Sequence, residues 1–299
     1  METLVELDHV SKSYEEKAAV HDLSLKIEAG TMFGLLGPNG AGKTSTIRMM
    51  IGITMPDAGK VSLFGKPFGN DALKRVGYLP EERGLYKKMK VIDQLVFLAE
   101  LRGLGALEAK RRAKLWCEKL QIADSIDKKT EELSKGMQQK IQFISTLLHD
   151  PELIIMDEPF SGLDPVNSAT IEEIIMEMKG KGATIVLSSH RMDQIERMCD
   201  AICLINKGQN ILDGDIRSIK ESYGKNTVQI EFTGPDAFLK APSIEKLTRL
   251  GNGAEAKLKA GADSQEFLRA ALQAGANITK FELMYPTLNE IFIERTTRA

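Results

Sequence analysis

The sequence predicts an α/β protein with a largely parallel sheet and a small α+β domain at its carboxyl end. Two stretches predict the sheet: an apolar run at 31–36 leads through a glycine-rich loop into a helical pattern, and a second run at 153–156 ends in two acids. Apolar strands without alternation are typical of parallel sheets, which are buried on both faces. A change of composition beyond about Ser218 predicts the separate α+β domain.

Size and composition limit the possible functions. The chain of 299 residues has a net charge of −2, and the missing basic excess argues against nucleic acid as a partner. Its cysteines (Cys117, Cys199 and Cys203) form no metal-ligand set and suit a reducing cytosol. We find no signal-peptide pattern and no apolar run near the ~18 residues of a membrane helix, so a membrane function would need another chain to span the bilayer.

Two strands are expected before the glycine-rich loop. Residues 4–10 alternate between apolar and polar, and 23–27 read as a second strand. Between them lies Tyr14, whose ring is placed either to stack on an adenine base or to end a strand half-buried. The spacing alone favours neither interpretation.

The glycine-rich loop has the pattern of a phosphate-binding loop. It reads Gly37-Pro38-Asn39-Gly40-Ala41-Gly42-Lys43-Thr44, followed by Ser45. Glycines let the backbone direct several N–H groups at one anion, and the following helix adds its positive end. Lys43 is expected to reach the β- and γ-phosphates, and the Thr44 hydroxyl to bind Mg²⁺.

Short strands are expected at 61–65 and 76–80, followed directly by Glu81. This acid is placed to contact Mg²⁺ or the attacking water, although a solvated loop acid is the ordinary alternative. Helical patterns follow from Val91 to about Leu120, interrupted at 103–105, and predict a helical subdomain over about 88–150.

A second anion site is predicted at the start of the next helix. Ser134 is a natural N-cap, and Gly136 in the first turn suggests that something approaches closely. The helix dipole and Lys135 add positive charge there. Because the chain has one phosphate loop, this second site either shares its nucleotide or serves that of another molecule.

Acids and a histidine follow two later strands. Asp157 and Glu158 come directly after the apolar run at 153–156, so Asp157 suits Mg²⁺ and Glu158 suits a general base for water. Asp164 either caps the next helix or contributes to the site. His190 ends the strand 184–190, and we favour a γ-phosphate contact because ligands of parallel sheets bind at these strand ends.

The remainder predicts a hairpin and the small second domain. The hairpin covers 202–212, and beyond it we expect strands at 227–232 and 278–283 and helices at 264–272 and 286–296. We place the domains at 1–217 and 218–299. The second domain shows no set of catalytic residues.

Together these motifs resemble the ATP-binding cassette (ABC) ATPases over about residues 2–215. The phosphate loop with Ser45 looks like Walker A, Asp157 and Glu158 resemble Walker B with its catalytic acid, and 133–139 resembles the signature motif LSGGQ. Asp164 falls in the D-loop, His190 on the switch histidine and Tyr14 on the adenine-stacking position. The resemblance implies a P-loop NTPase fold with a parallel-sheet core, an antiparallel β subdomain and a helical subdomain.

Two positions depart from the family pattern. Lys135 and Met137 stand where Gly and Gln are commonest, whereas Ser134 and Gly136 are intact. Glu81 stands where most members have Gln, which adds a charge beside the metal and affects sensing of the membrane partner.

The resemblance also implies a mechanism and partners. Two ATPase subunits, identical or sister chains, close around two Mg-ATP so that Walker A of one faces Ser134 of the other. Closing drives a separate membrane permease at the cytoplasmic face of the cell membrane. The stretches 77–86 and 285–292 look like an exporter branch associated with sodium, drug or antibiotic efflux.

The sequence leaves two alternatives to an exporter ATPase. A soluble ABC ATPase acting on ribosomes or DNA would carry a second cassette or long coiled coils, and neither is present in the sequence. An importer ATPase with a regulatory C-terminal domain is the other alternative. Only the resemblance of 77–86 and 285–292 to the exporter branch favours an exporter over it.

Overall fold

A computed structural model describes residues 2–15, 17–82, 84–259 and 261–297, together with all side chains in these ranges except those of Asn70 and Thr297. Arg83, part of the exporter-like stretch, lies outside the described residues, as do the ends of the two predicted domains, Met1 and 298–299. The chain forms two compact units, Met1–Gly214 and Asp215–Ala299. The sequence-based boundary at 217/218 falls slightly later, inside a helix.

The first unit contains three helices packed beside two sheets, with further helices covering the larger sheet. In chain order its elements are β1 (Thr3–Tyr14), β2 (Lys17–Glu28), β3 (Met32–Leu36), α1 (Lys43–Met50), β4 (Ala58–Leu63), β5 (Lys66–Pro67), β6 (Val76–Leu79), α2 (Val91–Glu100), α3 (Ala106–Lys119), α4 (Lys135–Leu147), β7 (Leu153–Asp157), α5 (Pro165–Gly180), β8 (Thr184–Ser189), α6 (Met192–Met198), β9 (Ala201–Asn206) and β10 (Gln209–Asp215). Short 3-10 helices cover 70–75, 123–125 and 130–132.

The central sheet has six strands in the order β10-β9-β3-β8-β7-β6. The pairs from β9 to β6 are parallel, and every residue of β3, β7 and β8 is buried. This explains why those strands have no alternation: both faces of a parallel sheet are covered. The parallel-sheet core predicted from the sequence is confirmed. Because the strands are parallel, their carboxyl ends lie at one edge of the sheet.

An antiparallel sheet of β2-β1-β4-β5 completes the β part of the unit. β1 and β2 extend beyond the predicted strands. The alternation on which the prediction depended is interrupted by register shifts near His9 and Asp22, both at positive φ. α2, α3 and α4 pack on one another through buried residues such as Leu95, Ala113 and Ile144. They form the predicted helical subdomain.

Between two flanking helices, the second unit follows the β-α-β-β-α-β order of ferredoxin-like folds, with a short 3-10 helix in place of the first α-helix. Its elements are α7 (Ile216–Tyr223), β11 (Thr227–Thr233), a 3-10 helix (Ala237–Lys240), β12 (Ile244–Leu250), β13 (Gly253–Leu258), α8 (Ser264–Gln273), β14 (Asn277–Met284) and α9 (Leu288–Thr297). The sheet order is β12-β13-β11-β14, with all pairs antiparallel. Its core contains Val228, Ile230, Phe238 and Phe267.

Sequence patterns predicted β11, α8, β14 and α9 of this second unit but missed α7, β12 and β13. β12 is exposed along almost its whole length, and β13 reads Gly-Ala-Glu-Ala-Lys-Leu, which has few of the β-branched residues typical of strands. In neither unit do the described residues contain a helix long and apolar enough to cross a membrane.

Candidate functional site

The phosphate loop joins the end of β3 to the start of α1. Gly40 and Gly42 have φ of 78° and 113°, values that residues with a Cβ rarely adopt. A Cβ at Gly42 would lie 2.5 Å from the Ala19 carbonyl oxygen. The loop thus needs glycine here both for its backbone conformation and for the close approach of β2. Its N–H groups, together with the amino end of α1, form an anion-binding cradle.

Lys43 lies across the base of this cradle. Its side chain is 7% exposed, and Nζ donates to the carbonyl oxygens of Gly37 at 2.8 Å and Pro38 at 3.3 Å. Burial lowers the pKa of Lys43, and the nearby carboxylates of Glu158 and Asp157 act against this shift. The ammonium is therefore a partly desolvated cation whose interaction with an incoming phosphate is strong.

Asp157 ends β7 beside the phosphate loop. It is 1% exposed, and its two carboxylate oxygens accept hydrogen bonds from Thr44 Oγ1 at 2.8 Å and Ser188 Oγ at 2.6 Å. Carboxylate and hydroxyl oxygens are suitable ligands for Mg²⁺, which is commonly held by one or two protein groups and substrate phosphates. Thr44 and Asp157 fit that ion. The described residues contain no cluster of three or more His, Cys, Asp or Glu that forms a complete metal cage.

Glu158 is held in an unusual conformation by its neighbours. Its φ is 50°, in the left-handed region, and its N–H donates to Ser188 O at 3.1 Å. Oε1 accepts from His190 Nδ1 at 2.8 Å and lies 3.9 Å from Lys43 Nζ. Strain of this kind, about 1–3 kcal/mol, is typical of functional sites where the surroundings impose one orientation.

These groups share a cavity of about 670 Å³. It is lined by most of the residues expected from the sequence, namely Tyr14, Asn39, Gly40, Ala41, Gly42, Lys43, Thr44, Ser45, Glu81, Asp157, Glu158 and His190, together with Glu15, Lys17, Ala18, Ala19 and Ser161. Tyr14, 41% exposed, lines this cavity. The cavity thus combines an aromatic side chain, a phosphate cradle and the three predicted acids Glu81, Asp157 and Glu158.

Five predicted residues do not line the cavity. Gly37 and Pro38 contribute the carbonyls that hold Lys43. Ser134 caps α4, with its Oγ accepting from Met137 N at 3.3 Å, and Gly136 lies in the first turn of that helix. Asp164 caps α5 through Asn167 N at 2.9 Å. Ser134, Gly136 and Asp164 are therefore not brought to this nucleotide cavity within one chain.

Sequence reasoning missed the residues that support the site. Ser188 lies inside the predicted strand 184–190 with no role indicated by the sequence, yet the register pairs it with Asp157 across β7 and β8. Asp57 likewise has no sequence signal, although it binds Lys12 Nζ at 2.6 Å and Ser13 N at 2.8 Å just before Tyr14. Neither contact has a local sequence signal, because each joins residues more than 30 positions apart.

Two family matches cover most of the chain. Residues 20–161 match the family described as ABC transporter. Residues 214–296 match the family described as ATP-binding protein DrrA1-3-like, C-terminal domain. The second match begins where the second unit begins.

Individual proteins match over nearly the full length. An uncharacterised ABC transporter ATP-binding protein of Bacillus subtilis, YhaQ, is 45% identical and covers 98% of both chains. The Nod factor export ATP-binding protein I of Burkholderia pseudomallei is 33% identical and covers 98% of this chain and 97% of its own. A solved structure of the ATP-binding subunit of an ABC transporter is 32% identical, with a TM-score of 0.70, over 74% of this chain and 94% of that one.

Proposed function

The chain belongs to the ATP-binding proteins of ABC transporters, which hydrolyse ATP, and we propose that it does so in the cavity between the phosphate loop and the ends of β7 and β8. The observation that carries this proposal is the joint placement of Lys43, the Thr44–Asp157 pair and the Glu158–His190 pair around that cavity. It provides a phosphate cradle, oxygen ligands for Mg²⁺ and a general base.

Each side chain has a distinct role in the proposed reaction. Lys43 leaves the Gly37 and Pro38 carbonyls to bind the β- and γ-phosphates, while the loop N–H groups hold the same oxygens. Glu158 accepts the proton of the attacking water, and His190, which donates to Oε1, orients the carboxylate towards it. Thr44 and Asp157, with Glu81, hold Mg²⁺, which when bound neutralises phosphate charge. Tyr14 stacks on the adenine.

A second copy or a sister subunit completes the site. Ser134 and Gly136 form the amino end of α4, an anion-binding position outside the cavity of their own chain. We propose that these residues bind the γ-phosphate held by the other subunit, with Asp164 at the same contact. This arrangement explains why the chain has two anion-binding positions but only one phosphate loop.

The permease is proposed to contact the helical subdomain. Tyr86 and Leu107 are 52% and 86% exposed, and Tyr86 packs edge-on against Phe97 with ring centroids 6.0 Å apart. A groove of about 440 Å³ is lined by Phe97, Leu107 and other apolar residues of α2 and α3, and by three charged residues, Asp93, Glu100 and Lys110. An apolar groove with a charged rim suits an amphipathic helix. Such a contact would hold the chain at the cytoplasmic face of the membrane.

Export is the proposed direction of transport. It is supported by the similarity to Nod factor export ATP-binding proteins and by the DrrA1-3-like C-terminal domain. These same matches do not favour a ribosome-acting or DNA-acting ATPase.

Copurification from membranes in mild detergent tests the transporter function. A tagged chain is expected to bring down a multi-span membrane protein, identified by mass spectrometry. Leu107→Arg, in the groove, should lose that protein while keeping ATP hydrolysis. The matched control Leu272→Arg replaces a leucine that is 56% exposed on α8 and should retain it. Ribosomal proteins or DNA in place of any membrane protein would contradict the proposal.

A further inference from the structure

β6 is one of the two outer strands of the central sheet, and its free edge is covered by α4. On one side β6 pairs with β7. On the other side, carbonyl oxygens of alternate residues accept hydrogen bonds from a side chain of α4 and from His149, two residues beyond its end. His149 Nε2 donates to Val76 O at 3.1 Å and Thr146 Oγ1 to Tyr78 O at 3.3 Å. We call this set of contacts, made by residues 142, 146 and 149 with residues 76–82, the α4–β6 seam.

The seam is tightly packed. Gly77 lies so close to α4 that a Cβ there would be 2.4 Å from Thr146 O and 2.9 Å from Pro151 Cγ. Edge strands leave a row of unpaired backbone groups that proteins cover with other elements. Here the cover consists of specific side-chain hydrogen bonds, so movement of α4 along the edge would leave buried carbonyls unpaired.

Gln142 extends the seam to the segment that carries Glu81. Its side chain is 5% exposed, and Nε2 donates to Pro80 O at 3.2 Å and to Glu82 O at 3.1 Å. These two carbonyls lie on either side of Glu81, whose side chain lines the nucleotide cavity. One amide group therefore fixes the backbone on both sides of this acid.

Gln139, one turn earlier on α4, makes the equivalent contact with the other acid. Its Nε2 donates to Pro159 O at 2.9 Å, and Pro159 directly follows Glu158. Gln139 Oε1 is buried and has no hydrogen-bond partner among the residues that the structure describes. The two glutamines lie with both acid segments around a cavity of about 390 Å³.

We propose that Gln142 and Gln139 are positioning residues that fix Glu81 and Glu158 relative to Ser134. Ser134 caps the amino end of the same helix, which continues without interruption through both glutamines. The inference rests on the proposed function, in which Ser134 binds the nucleotide of the other subunit. When Ser134 is displaced at the nucleotide of the other subunit, Glu81 and Glu158 then move at the chain's own nucleotide. In this way α4 couples the two ATP sites of the dimer.

The test measures ATP hydrolysis against ATP concentration for the purified full chain. Gln142→Met keeps the side-chain length and removes both hydrogen bonds, and Gln139→Met does the same at Pro159. We expect each to lower kcat by about 10- to 100-fold, since misplacement of catalytic groups by about 1 Å has effects of this size. The Hill coefficient should fall towards 1, while the affinity for a non-hydrolysable ATP analogue stays within about twofold.

Thr146→Val is the matched control, because it removes the hydroxyl that lies 3.3 Å from Tyr78 O in the same seam and 3.0 Å from the backbone carbonyl oxygen of Gln142, and leaves the Gln142 side chain and its contacts beside Glu81 in place. It should lower the melting temperature but keep kcat and the Hill coefficient. Equal losses of kcat in Thr146→Val and Gln142→Met would overturn the proposal, as would a non-cooperative wild type or unchanged kcat in folded glutamine variants. A wild type that neither binds nor hydrolyses ATP would instead contradict the proposed function.

Discussion

The two halves of the nucleotide cavity are built in different ways. The phosphate-loop half is made from the backbone of eight consecutive residues, with Gly40 and Gly42 at positive φ and a single buried cation, Lys43. The acidic half is made from side chains at the ends of separate strands. It is held by hydrogen bonds between distant positions, such as Ser188 to Asp157 and Gln142 to Pro80.

This difference predicts different responses to substitution. In the backbone half, an added methyl group changes the path of the chain itself, so phosphate binding is weakened directly. In the acidic half, a lost donor moves a carboxylate without closing the cradle, so rate or cooperativity changes more than affinity.

Gly42→Ala should have the largest effect on binding. The new Cβ would lie 2.5 Å from Ala19 O in a backbone with φ of 113°. Strain of about 1–3 kcal/mol weakens nucleotide affinity by at least about fivefold. Isothermal calorimetry with ATP measures this, and Gly105→Ala is the control, since a Cβ there meets no atom within 4 Å. Normal ATP affinity in Gly42→Ala would show that the cradle does not depend on the close approach of β2.

Asp57→Ala should have a smaller effect, confined to the base. Asp57 holds Lys12 and the Ser13 N–H, and Lys12 Nζ lies 5.9 Å from the centre of the Tyr14 ring. Losing this support should raise KM for ATP by about three- to tenfold, part of what base stacking contributes.

Inorganic triphosphate, which has no base, provides the check on this prediction. It should compete equally well for the wild type and Asp57→Ala, because the phosphate cradle is unchanged. The control Asp71→Ala removes a fully exposed carboxylate that lies 3.2 Å from Lys74 Nζ. It should leave the KM for ATP unchanged. A matching loss of triphosphate affinity in Asp57→Ala would show a general disturbance of the cavity.

His149 should give the smallest effect, visible in the pH dependence of stability. Burial lowers the pKa of His149 from its ordinary value of 6.5, with nearby Arg102 and Arg112 acting in the same direction. Below 6.5 the unfolded chain therefore binds a proton that the folded chain does not, and stability falls as pH drops towards the lowered pKa.

Urea unfolding at about pH 7.5 and about pH 5.5 measures the contribution of His149 to the free energy of unfolding. His149→Gln keeps a donor for Val76 O and should lose less stability between the two values than the wild type does. His9→Gln is the control of opposite sign, because a hydrogen bond from exposed His9 to Asp22 raises the pKa of His9. Its removal should make the loss at low pH slightly steeper. Identical slopes in the wild type and His149→Gln would exclude this contribution.

The backbone half could be predicted from the sequence, and the supports of the acidic half could not. Glycines at fixed spacing before Lys43 and Thr44 carry the information for the loop locally, and the apolar runs 31–36 and 153–156 predict two buried strands of one parallel sheet. The fold class follows from the same local patterns. Ser188, Gln142 and Asp57 depend on which strands become neighbours, and their residue types are common in polar loops and helices.

Ser134 and Asp164 show a further limit of local reasoning. The sequence left open whether the Ser134 site serves the chain's own nucleotide or that of another molecule, and whether Asp164 only caps a helix. Within the chain both residues cap helices outside the cavity. Their sequence context identifies a motif, whereas the subunit on which that motif acts depends on assembly. Gly77 also shows no local sequence signal, because the atoms that exclude a side chain there belong to Thr146 and Pro151, which are distant in the sequence.

The most direct test of the central claim, that this cavity hydrolyses ATP with Glu158 as the base, is the steady-state ATPase rate of Glu158→Gln beside that of the wild type. We predict that hydrolysis falls by about 10²–10⁴-fold, the usual contribution of a general base, while Mg-ATP still binds and retains the dimer on size exclusion. A variant that hydrolyses ATP at the wild-type rate would contradict the assignment of Glu158 and, with it, the mechanism proposed for the site.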